Sequence, residues 1–411
     1  MQLTTGQKIW TKVNPVITTY PYLTEDISTE FVVVGGGITG TITAYALAAA
    51  GAKVVLIEKN MIGYGSTSAS TSILQYEIDS NLKRLAALYG SEQAIRAFSL
   101  CADAVEAIEN WVQKLDHDCG FGKVPCLYYS SRKNDKKWLH EEFQLRQKAG
   151  FNVSFLDKQS AHDKFSFPIQ AAILSHAGSG YIDPYQLSHA MLQLGQKQGL
   201  TIYEHTEATQ LESVGEGIQI TTPNQFTILA KQAIITTGYE AKKLIKQKIA
   251  SMTRSFVIVT KPQQNPLKWY KRSTIRDTKQ AYTYIRTTPD HRIIVGGKDL
   301  DLGGQTSKVA TLTQDDPLSA KQYDALKKEL FYHFPDLLDS DDLIQFQFSG
   351  LFADTKDSLP YIGSYEALPH CLFNLGLGGN GILYAVIGAK LLAQQLQGKA
   401  PSDLQLFRFD R

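Results

Sequence analysis

Three glycines with a fixed spacing are the clearest indication of a ligand-binding site in this sequence. Gly35, Gly37 and Gly40 form a G-x-G-x-x-G pattern directly after the apolar run 32–34 and at the start of a helical segment. The first glycine permits the turn, the second lets a phosphate approach the backbone N–H groups, and the third lets the helix pack on the strand. The pattern predicts a site for the pyrophosphate of a dinucleotide.

A carboxylate stands where such a site needs one. Glu58 follows the next apolar run, 54–57, and lies eighteen residues after Gly40. At this position a carboxylate hydrogen-bonds the ribose hydroxyls of a bound nucleotide. Because no arginine directly follows Glu58, the pattern favours an unphosphorylated adenosine ribose and disfavours NADP. A glycine-rich turn that binds nothing is the alternative, and the combination of strand, turn, helix, strand and acid argues against it.

The same stretch has to be tested as a membrane span. Residues 31–57 are numerous enough to cross a bilayer and include one charged residue, Lys53. Three consecutive glycines near the start, Gly51 near the end and β-branched runs at both edges divide the stretch into strand, turn, helix and strand. We therefore predict a βαβ unit here and no transmembrane segment.

A second glycine-rich element, 374–382, lies more than 300 residues after the first and precedes the helical pattern 382–396. A dehydrogenase that uses NAD completes its nucleotide site within one contiguous domain of roughly 150 residues. The positive end of a second helix dipole suits a group that becomes anionic, such as the N1 and C2=O region of a reduced flavin. The two elements together favour FAD.

Other segments supply the expected framework. Residues 1–30 suggest an extended arm that leads into the first strand, and the stretch 180–184 is expected to end a strand and start a helix. The remaining expectations are a helix over 91–115, a strand over 123–129, a charged surface helix over 135–149, short strands between 200 and 238, and a hairpin over 281–297.

Composition limits the class of protein. The chain has 411 residues, 42 Lys and Arg against 40 Asp and Glu, and 43% hydrophobic residues, which excludes disorder and predicts two or three domains. A net charge of +2 gives no global field for nucleic acid. The four cysteines form no CxxC pattern or disulfide framework, the nine histidines show no metal spacing, and the first residues lack a secretory signal. We expect a cytoplasmic protein without a metal.

One basic run interrupts this balance. Residues 240–272 contain nine Lys and Arg and a single acid, Glu240. Such a run is usually a solvated helix face with a loop, and an anionic partner or a peripheral contact with a membrane surface is the alternative.

With these motifs in place, the sequence resembles the FAD-dependent D-amino-acid oxidase (DAO) superfamily, in particular glycine oxidase and γ-glutamylputrescine oxidase. The resemblance rests on VVVGGGITG with LIEK, the loop GSTSAST at 65–71, GYIDP at 180–184, AIITTG at 233–238, and TKDSLPYIG with GLGGNGI near the C-terminal end. It implies an α/β (α+β) fold in which a Rossmann-like FAD/NAD(P)-binding domain supports a mostly antiparallel β substrate domain. We expect the first domain to comprise 1–90, 151–240 and 345–411, and the second 91–150 and 241–344.

The resemblance also implies which residues hold the cofactor. They fall into groups for the pyrophosphate, the adenosine, the linker to the flavin and the flavin ring. In chain order they are Gly35, Gly37, Ile38, Thr39, Gly40, Glu58, Lys59, Ser66, Thr67, Ser68, Ala208, Thr237, Gly238, Gly378, Gly379, Asn380, Gly381 and Ile382.

The sequence departs from its relatives at the substrate. Glycine oxidase-type enzymes carry an arginine at the position of Phe352, and an apolar ring cannot clamp a carboxylate. No cysteine occurs between 345 and 370, and Cys371 lies too late for the covalent attachment found in sarcosine oxidase relatives, so the FAD should be non-covalent. The alternation of Tyr282, Tyr284 and Arg286 predicts one strand face, on which Arg286 fixes a carboxylate and the tyrosines enclose the substrate. An ordinary sheet face with a surface arginine is the alternative.

Three residues just past the flavin loop, Gln75, Tyr76 and Glu77, are further candidates for which a structural role is favoured. The implied activity is oxidation of the C–N bond of a small amine or amino acid by hydride transfer to flavin N5, with O2 or a quinone as electron acceptor. Two alternatives remain: a flavin-dependent module that modifies tRNA and docks through the basic run, and an FAD-binding protein without amine turnover. No nucleic-acid partner is expected from the main interpretation, and the oligomeric state is left open.

Overall fold

A computed structural model describes residues 3–264, 267–279, 281–301, 311–340 and 342–411. The chain divides into two compact units, each assembled from separate stretches. Unit 1 comprises Met1–Lys12, Ala69–Asp183 and Met252–Phe352, and unit 2 comprises Val13–Ser68, Pro184–Ser251 and Ala353–Arg411.

The helices are numbered α1 to α9 in chain order. They are Trp10–Val13, Ile38–Ala49, Leu82–Tyr89, Ser91–Val112, Lys136–Lys148, Lys158–His162, Pro184–Gln196, Pro317–His333 and Gly381–Leu396. The strands are numbered β1 to β20. They are Thr4–Gly6, Ile27–Val34, Val54–Ile57, Ile73–Gln75, Gly122–Lys123, Cys126–Ser130, Val153–Asp157, Ala171–Ser175, Ser179–Tyr181, Thr201–Tyr203, Gln210–Val214, Gly217–Thr221, Thr227–Ile235, Ser251–Thr260, Thr274–Asp277, Tyr284–Thr287, Ile293–Asp301, Ile344–Asp354, Tyr361–Ser364 and Cys371–Leu375.

Unit 2 contains the predicted βαβ unit. Strands β2 and β3 are parallel, with Val32 opposite Val55, and α2 connects them. The short apolar strands are buried on both faces, as a parallel sheet covered by helices requires. The βαβ prediction for 31–57 is confirmed. Among the described residues, no helix combines the length and the apolar character needed to cross a membrane.

Strand β13 is the centre of the unit 2 sheet. It runs parallel to both β2 and β20, and the path through the sheet is β10-β3-β2-β13-β12-β11. The sequence suggested two separate short strands here, whereas the structure has one strand over Thr227–Ile235. Through β20, the C-terminal glycine-rich element enters the same sheet as the first glycine turn.

Unit 1 is built on a larger sheet of mixed direction. Its described strands follow the order β1-β18-β14-β17-β16-β15-β6-β8-β7. The pairs β1–β18, β14–β17, β17–β16, β16–β15, β6–β8 and β8–β7 are antiparallel, whereas β15 and β6 are parallel. The expected extended arm is wrong in part, because Trp10–Val13 form the helix α1. Residues Thr4–Gly6 are extended and form β1, which pairs with β18 at the edge of this sheet. The mixed α/β architecture with a Rossmann-like unit confirms the predicted fold class.

The predicted hairpin over 281–297 is confirmed and comprises β16 and β17. Tyr284 lies opposite Gly296 and Arg286 lies opposite Ile294. Residues two apart on a strand point to the same side, so Tyr284 and Arg286 face the same side of the sheet.

Helix α5 and the boundaries of the two units differ from the sequence-based expectation. The predicted charged surface helix forms as α5, but Glu142 and Arg146 on it are fully buried, so one of its faces belongs to the core. In the structure, residues 69–90 and 151–183 belong to unit 1, whereas the sequence-based division assigned them to the cofactor domain. The roles assigned to the domains stay a prediction.

Candidate functional site

The first glycine turn brings the start of α2 against the ends of β2 and β13. Gly35 has a positive φ of 112°, and a Cβ there would lie 3.0 Å from the Thr236 carbonyl oxygen. A Cβ on Gly40 would lie 1.7 Å from the Gly35 carbonyl oxygen. The Thr236 hydroxyl donates to the Val34 carbonyl at 2.8 Å and ties the turn to β13. The first and third glycines therefore serve the packing that the spacing predicted.

The second glycine leaves the start of α2 open. Gly37 has extended backbone, and a Cβ there would approach only the Thr67 hydroxyl, at 3.2 Å. The Ile38 N–H donates to that hydroxyl at 2.9 Å. Within the described parts of the chain, the N–H groups of Gly37, Thr39 and Gly40 have no hydrogen-bond acceptor. Unpaired N–H groups at the positive end of a helix bind phosphate oxygens.

Glu58 is held by the same turn. Its carboxylate accepts from the Gly36 N–H at 2.7 Å and from the Asn60 N–H at 2.9 Å. Burial raises the pKa of Glu58, while these two backbone donors lower it. The arrangement fixes the carboxylate beside the helix start and leaves each oxygen a second lone pair for a hydroxyl donor. Lys59 forms an ion pair with Glu240 at 2.5 Å.

The residues predicted for the flavin linker and for the adenine lie in two segments near this turn. Residues Ser66–Ala69 form a 3-10 turn, in which Thr67 contacts the start of α2 and Ser68 donates to the Gly65 carbonyl at 2.8 Å. Ala208 lies in the connection between β10 and β11, and the Thr206 N–H in that connection donates to the Glu58 carbonyl at 2.8 Å.

The segment after β13 forms another edge of the glycine turn. Thr237 precedes the 3-10 turn Gly238–Lys243, and Gly238 has a positive φ with no described atom within 4 Å of its Cβ position. Sequence reasoning singled out these two residues and missed Thr236, whose hydroxyl bonds to the carbonyls of Val34 and Gly35. The Thr-Thr-Gly sequence directly after β13 is the signal that could have indicated Thr236.

The second glycine-rich element packs on α2 as well as on β20. A Cβ on Gly376 would lie 2.4 Å from the Gly381 carbonyl oxygen, so the chain before α9 folds tightly against the start of the helix. Asn374 donates to the Thr43 hydroxyl at 3.0 Å and to the Ala385 carbonyl at 3.1 Å, which joins β20, α2 and α9. The two helix starts thus belong to one packed unit.

The positions predicted for the flavin ring lie at the start of α9. Gly378 has a positive φ of 86° and is open except for the Ser358 carbonyl oxygen, 4.0 Å from its Cβ position. Gly379 is exposed, Asn380 precedes the helix and is buried, Gly381 begins it, and Ile382 is buried. The loop containing Ser358 is fixed by the Tyr384 hydroxyl at 2.6 Å.

The sequence did not predict that Arg411 binds this loop. The Arg411 guanidinium donates to the Asp357 carboxylate at 2.8 Å and to the Leu359 carbonyl at 2.9 Å, and it stacks 3.9 Å from the Tyr361 ring centre. No motif announces this contact, since its members are up to 54 residues apart.

In unit 1, Arg286 is the predicted residue with the most unusual surroundings. It is 1% exposed, and its guanidinium lies 5.0 Å from the Trp10 ring centre and 5.1 Å from that of Tyr181. One Nη donates to the Ile182 carbonyl at 3.2 Å, whereas Nε has no acceptor, and no described carboxylate forms an ion pair with Arg286. Burial lowers the pKa of Arg286 to about 9, although Asp183 and Tyr181 raise it. The surface arginine of the alternative interpretation is therefore wrong.

The two tyrosines of the predicted face have polar and aromatic partners of their own. The Tyr284 hydroxyl hydrogen-bonds to that of Ser255 at 2.9 Å, and the Tyr282 ring lies 5.7 Å from the Tyr284 ring. Arg276 lies over Tyr282 at 5.1 Å and pairs with Asp79 at 2.6 Å. The strand thus presents Arg286 and the tyrosine pair at separate places.

The candidates after the flavin loop belong to a buried network. Glu77 accepts from the Ser175 hydroxyl at 2.5 Å and pairs with Arg146 at 3.3 Å. The Tyr76 ring stacks on Phe151 with ring centres 4.7 Å apart. Gln75 donates to the Glu77 carbonyl at 3.3 Å. These contacts fit the structural role that we favoured for all three.

The basic run is dispersed. Lys242–Lys248 belongs to unit 2, whereas Arg254 is buried in unit 1 and Lys261 pairs with Asp342. The usual interpretation, a solvated helix face with a loop, is therefore wrong for most of it, since the run comprises a 3-10 turn, β14 and loops. In the described ranges, no group of His, Cys, Asp and Glu has the arrangement of a metal site. All four cysteines are buried free thiols.

Comparison with known families decides which cofactor this framework serves. Residues 30–395 match the family described as "DAO: FAD dependent oxidoreductase". The chain belongs to the DAO family. It is therefore an FAD-dependent oxidoreductase, an enzyme, as the resemblance implied, and its cofactor is the one that the two glycine-rich elements favoured.

Curated relatives of this DAO-family chain match over nearly its whole length. The gamma-glutamylputrescine oxidoreductase of Escherichia coli (strain K12) is 23% identical, over 92% of this chain and 86% of the relative. The glycine oxidase of Bacillus subtilis (strain 168) is 26% identical, over 93% of this chain and 97% of the relative.

Solved structures agree on the fold. The L-proline dehydrogenase from P. horikoshii has a TM-score of 0.77 and 21% identity, over 95% of this chain and 99% of that one. The glycine oxidase from Geobacillus kaustophilus has a TM-score of 0.76 and 19% identity, over 93% and 99%.

The residues of unit 2 fit the cofactor of the DAO family. The open Gly37 position and the unpaired N–H groups at the start of α2 suit a pyrophosphate. The fixed Glu58 carboxylate suits a ribose diol. A second helix start, at Gly381, lies in the same unit at the positions predicted for the flavin ring. The assignment of each residue to a part of FAD stays a prediction.

Proposed function

We propose that the chain oxidises the C–N bond of a small amine or amino acid, with a hydride passing to N5 of non-covalently bound FAD. Its relatives named above include a gamma-glutamylputrescine oxidoreductase and a glycine oxidase, which supports a nitrogen-bearing substrate. The observation in the structure that supports the proposal is Arg286, a buried cation of unit 1 that forms no ion pair with a described acid, although Asp183 is near enough to raise its pKa.

A buried charge without a partner is costly to the fold, so such a group is usually completed by a ligand. Trp10 and Tyr181 cover the guanidinium at ring-centre distances typical of cation–π contacts, and Nε remains without an acceptor. An in-plane edge of a guanidinium that includes Nε is suited to two parallel hydrogen bonds with a carboxylate. Arg286 would then replace the arginine that glycine oxidase-type relatives carry at the position of Phe352.

Access to Arg286 requires one covering ring to move. Trp10 is the candidate, because it lies on the four-residue helix α1, and its indole N–H donates to the Ser70 carbonyl at 2.7 Å. Ser70 directly follows the 3-10 turn with the predicted flavin-linker residues. Displacement of the indole by a carboxylate would thus couple substrate entry to that loop.

The chemistry needs few protein groups. FAD, when bound, would supply the hydride acceptor, and the N–H groups at the start of α2, Glu58 and the residues that begin α9 would hold it. The protein binds the amine in its uncharged form, so that the nitrogen lone pair assists loss of the hydride from the adjacent carbon. Water then hydrolyses the imine to a carbonyl product and a released amine or ammonia.

Anaerobic mixing tests this proposal. FAD-loaded protein is mixed with N-methyl amino acids, D-amino acids and polyamine derivatives while the absorbance near 450 nm is followed. The proposal expects at least one amine to bleach the flavin. If no amine does so while dithionite still bleaches the sample, the proposal is wrong and FAD binding without amine turnover is favoured. Salt-dependent binding of tRNA would instead favour the tRNA-modifying alternative.

A further inference from the structure

Asp299 is a partly buried acid of unit 1 that pairs with no described cation. It lies on β17, and its Oδ1 is shielded from solvent without a hydrogen-bond partner among the described residues. Burial raises the pKa of Asp299 to about 6, the neighbouring Asp79 raises it further, and the Ser255 hydroxyl lowers it. The Ser255 hydroxyl is thus a partner of this carboxyl group, whereas Oδ1 has none among the described residues.

Two aromatic rings lie beside this carboxylate. The ring centres of Tyr282 and Tyr284 are 5.7 Å apart at an interplanar angle of 59°. Asp299 accepts a hydrogen bond from the Ser255 hydroxyl, which also hydrogen-bonds to the Tyr284 hydroxyl at 2.9 Å. Burial raises the pKa of Tyr282 well above its usual value, and the neighbouring acids Asp79 and Asp299 raise it further. A carboxylate next to aromatic faces is the combination that recognises organic cations.

Two basic side chains in this region, Arg276 and Lys298, form ion pairs with acids other than Asp299. Arg276, which lies over Tyr282, pairs with Asp79 at 2.6 Å. Lys298, the chain neighbour of Asp299, pairs with Glu329 at 2.7 Å. Neither of these two cations forms an ion pair with Asp299.

The backbone is shaped to hold the rings. A Cβ on Gly296 would lie 2.1 Å from the Tyr284 ring, so this ring lies directly over β17. Gly297 has a positive φ of 131°, and a Cβ there would lie 2.5 Å from the Tyr282 carbonyl oxygen. Two consecutive glycines therefore permit the tyrosine pair to lie against the strand that carries Asp299.

We propose that Asp299, with the ring faces of Tyr282 and Tyr284, binds a second positively charged group of the substrate. This inference rests on the proposed function and names its substrate class: amines that carry another cationic nitrogen, such as diamines or basic amino acids. Tyr284 and Arg286 face the same side of the sheet, so one substrate with a carboxylate and a distal ammonium can use both positions.

Substrate pairs that differ only in the terminal ammonium test the inference. The pairs are pentylamine with 1,5-diaminopentane and norleucine with lysine, each amino acid as both enantiomers. Binding is measured by calorimetry on FAD-loaded protein that dithionite has reduced beforehand, so that no turnover occurs. The Asp299→Asn variant keeps the side-chain shape, and Asp324→Asn, on an exposed position of α8, removes the same charge from unit 1 as a control.

The wild-type protein is expected to bind the dicationic member of at least one pair more tightly. Asp299→Asn should weaken that member about ten- to a hundredfold, the contribution typical of a charge-assisted hydrogen bond, and leave its monocationic partner within about twofold. Asp324→Asn should change neither. Equal binding within both pairs, or an equal loss for both members in Asp299→Asn, would overturn the inference. Because the flavin is already reduced, this result is independent of whether any amine bleaches the oxidised enzyme.

Discussion

Replacement of Gly37 by alanine should remove FAD without unfolding the protein. The residue has φ −77° and ψ −178°, which alanine also adopts, and the new Cβ would approach only the Thr67 hydroxyl, at 3.2 Å. The cost to stability should be about 1 kcal/mol, since alanine is a poorer residue before a helix than glycine. The same Cβ would separate the pyrophosphate from the N–H groups at the start of α2. Loss of two charge-assisted hydrogen bonds of about 1.5 to 3 kcal/mol each would weaken FAD binding about 10²- to 10⁴-fold.

Gly40→Ala is the contrasting variant. Its Cβ would lie 1.7 Å from the Gly35 carbonyl oxygen, so α2 would have to move away from the turn, at a cost of about 1 to 3 kcal/mol or more. Flavin content, quenching of FAD fluorescence and circular dichroism separate the two effects: Gly37→Ala should lose only the cofactor, whereas Gly40→Ala should lose cofactor and stability. Wild-type FAD affinity in Gly37→Ala, or equal unfolding of the two variants, would refute the proposed position of the pyrophosphate.

Three further predictions concern charge and the cofactor. Arg286→Ala should raise the half-saturating concentration of substrates that bear a carboxylate and spare those that lack one; an unchanged KM for both would rule out the clamp. Burial raises the pKa of Asp299 from 3.8 to about 6, so the native state holds the proton more tightly than the unfolded chain and stability falls as pH rises through that range. Asp299→Asn should therefore be more stable than wild type by about 1 to 3 kcal/mol at pH 8, and thermal unfolding should show this difference shrinking between pH 6 and pH 4; a constant difference would contradict it. Acid precipitation should release all the yellow chromophore into the supernatant, whereas a coloured pellet would mean a covalent flavin.

Local patterns predicted the parts of the fold that short segments determine. The βαβ unit over 31–57 forms as expected because glycine positions and apolar runs specify turn, helix and strands within one stretch. The hairpin of β16 and β17 follows in the same way from turn residues between two alternating runs. By contrast, the pairing of β1 with β18 joins Thr5 to Ser349, 344 residues apart, and no local signal encodes it.

The misses at the candidate site have one physical cause. Asp299 was overlooked because its partner Ser255 lies on the neighbouring strand β14, and a lone aspartate in a strand carries no motif. Arg146 was expected on a surface because α5 is rich in charge, yet Glu77 and Glu142 pair with it in the core. Charge pairing between distant segments decides both cases, and composition alone does not reveal it.

The central claim, oxidation of a C–N bond by a flavoprotein, is tested most directly by one anaerobic turnover. FAD-loaded protein is mixed with the amine that bleaches it most strongly, and the flavin reduced and the carbonyl product formed are both quantified. We predict one equivalent of carbonyl product for each flavin bleached, because a two-electron oxidation to the imine is followed by hydrolysis. Bleaching without a stoichiometric carbonyl product, or no bleaching by any amine in a sample that dithionite reduces, would contradict it.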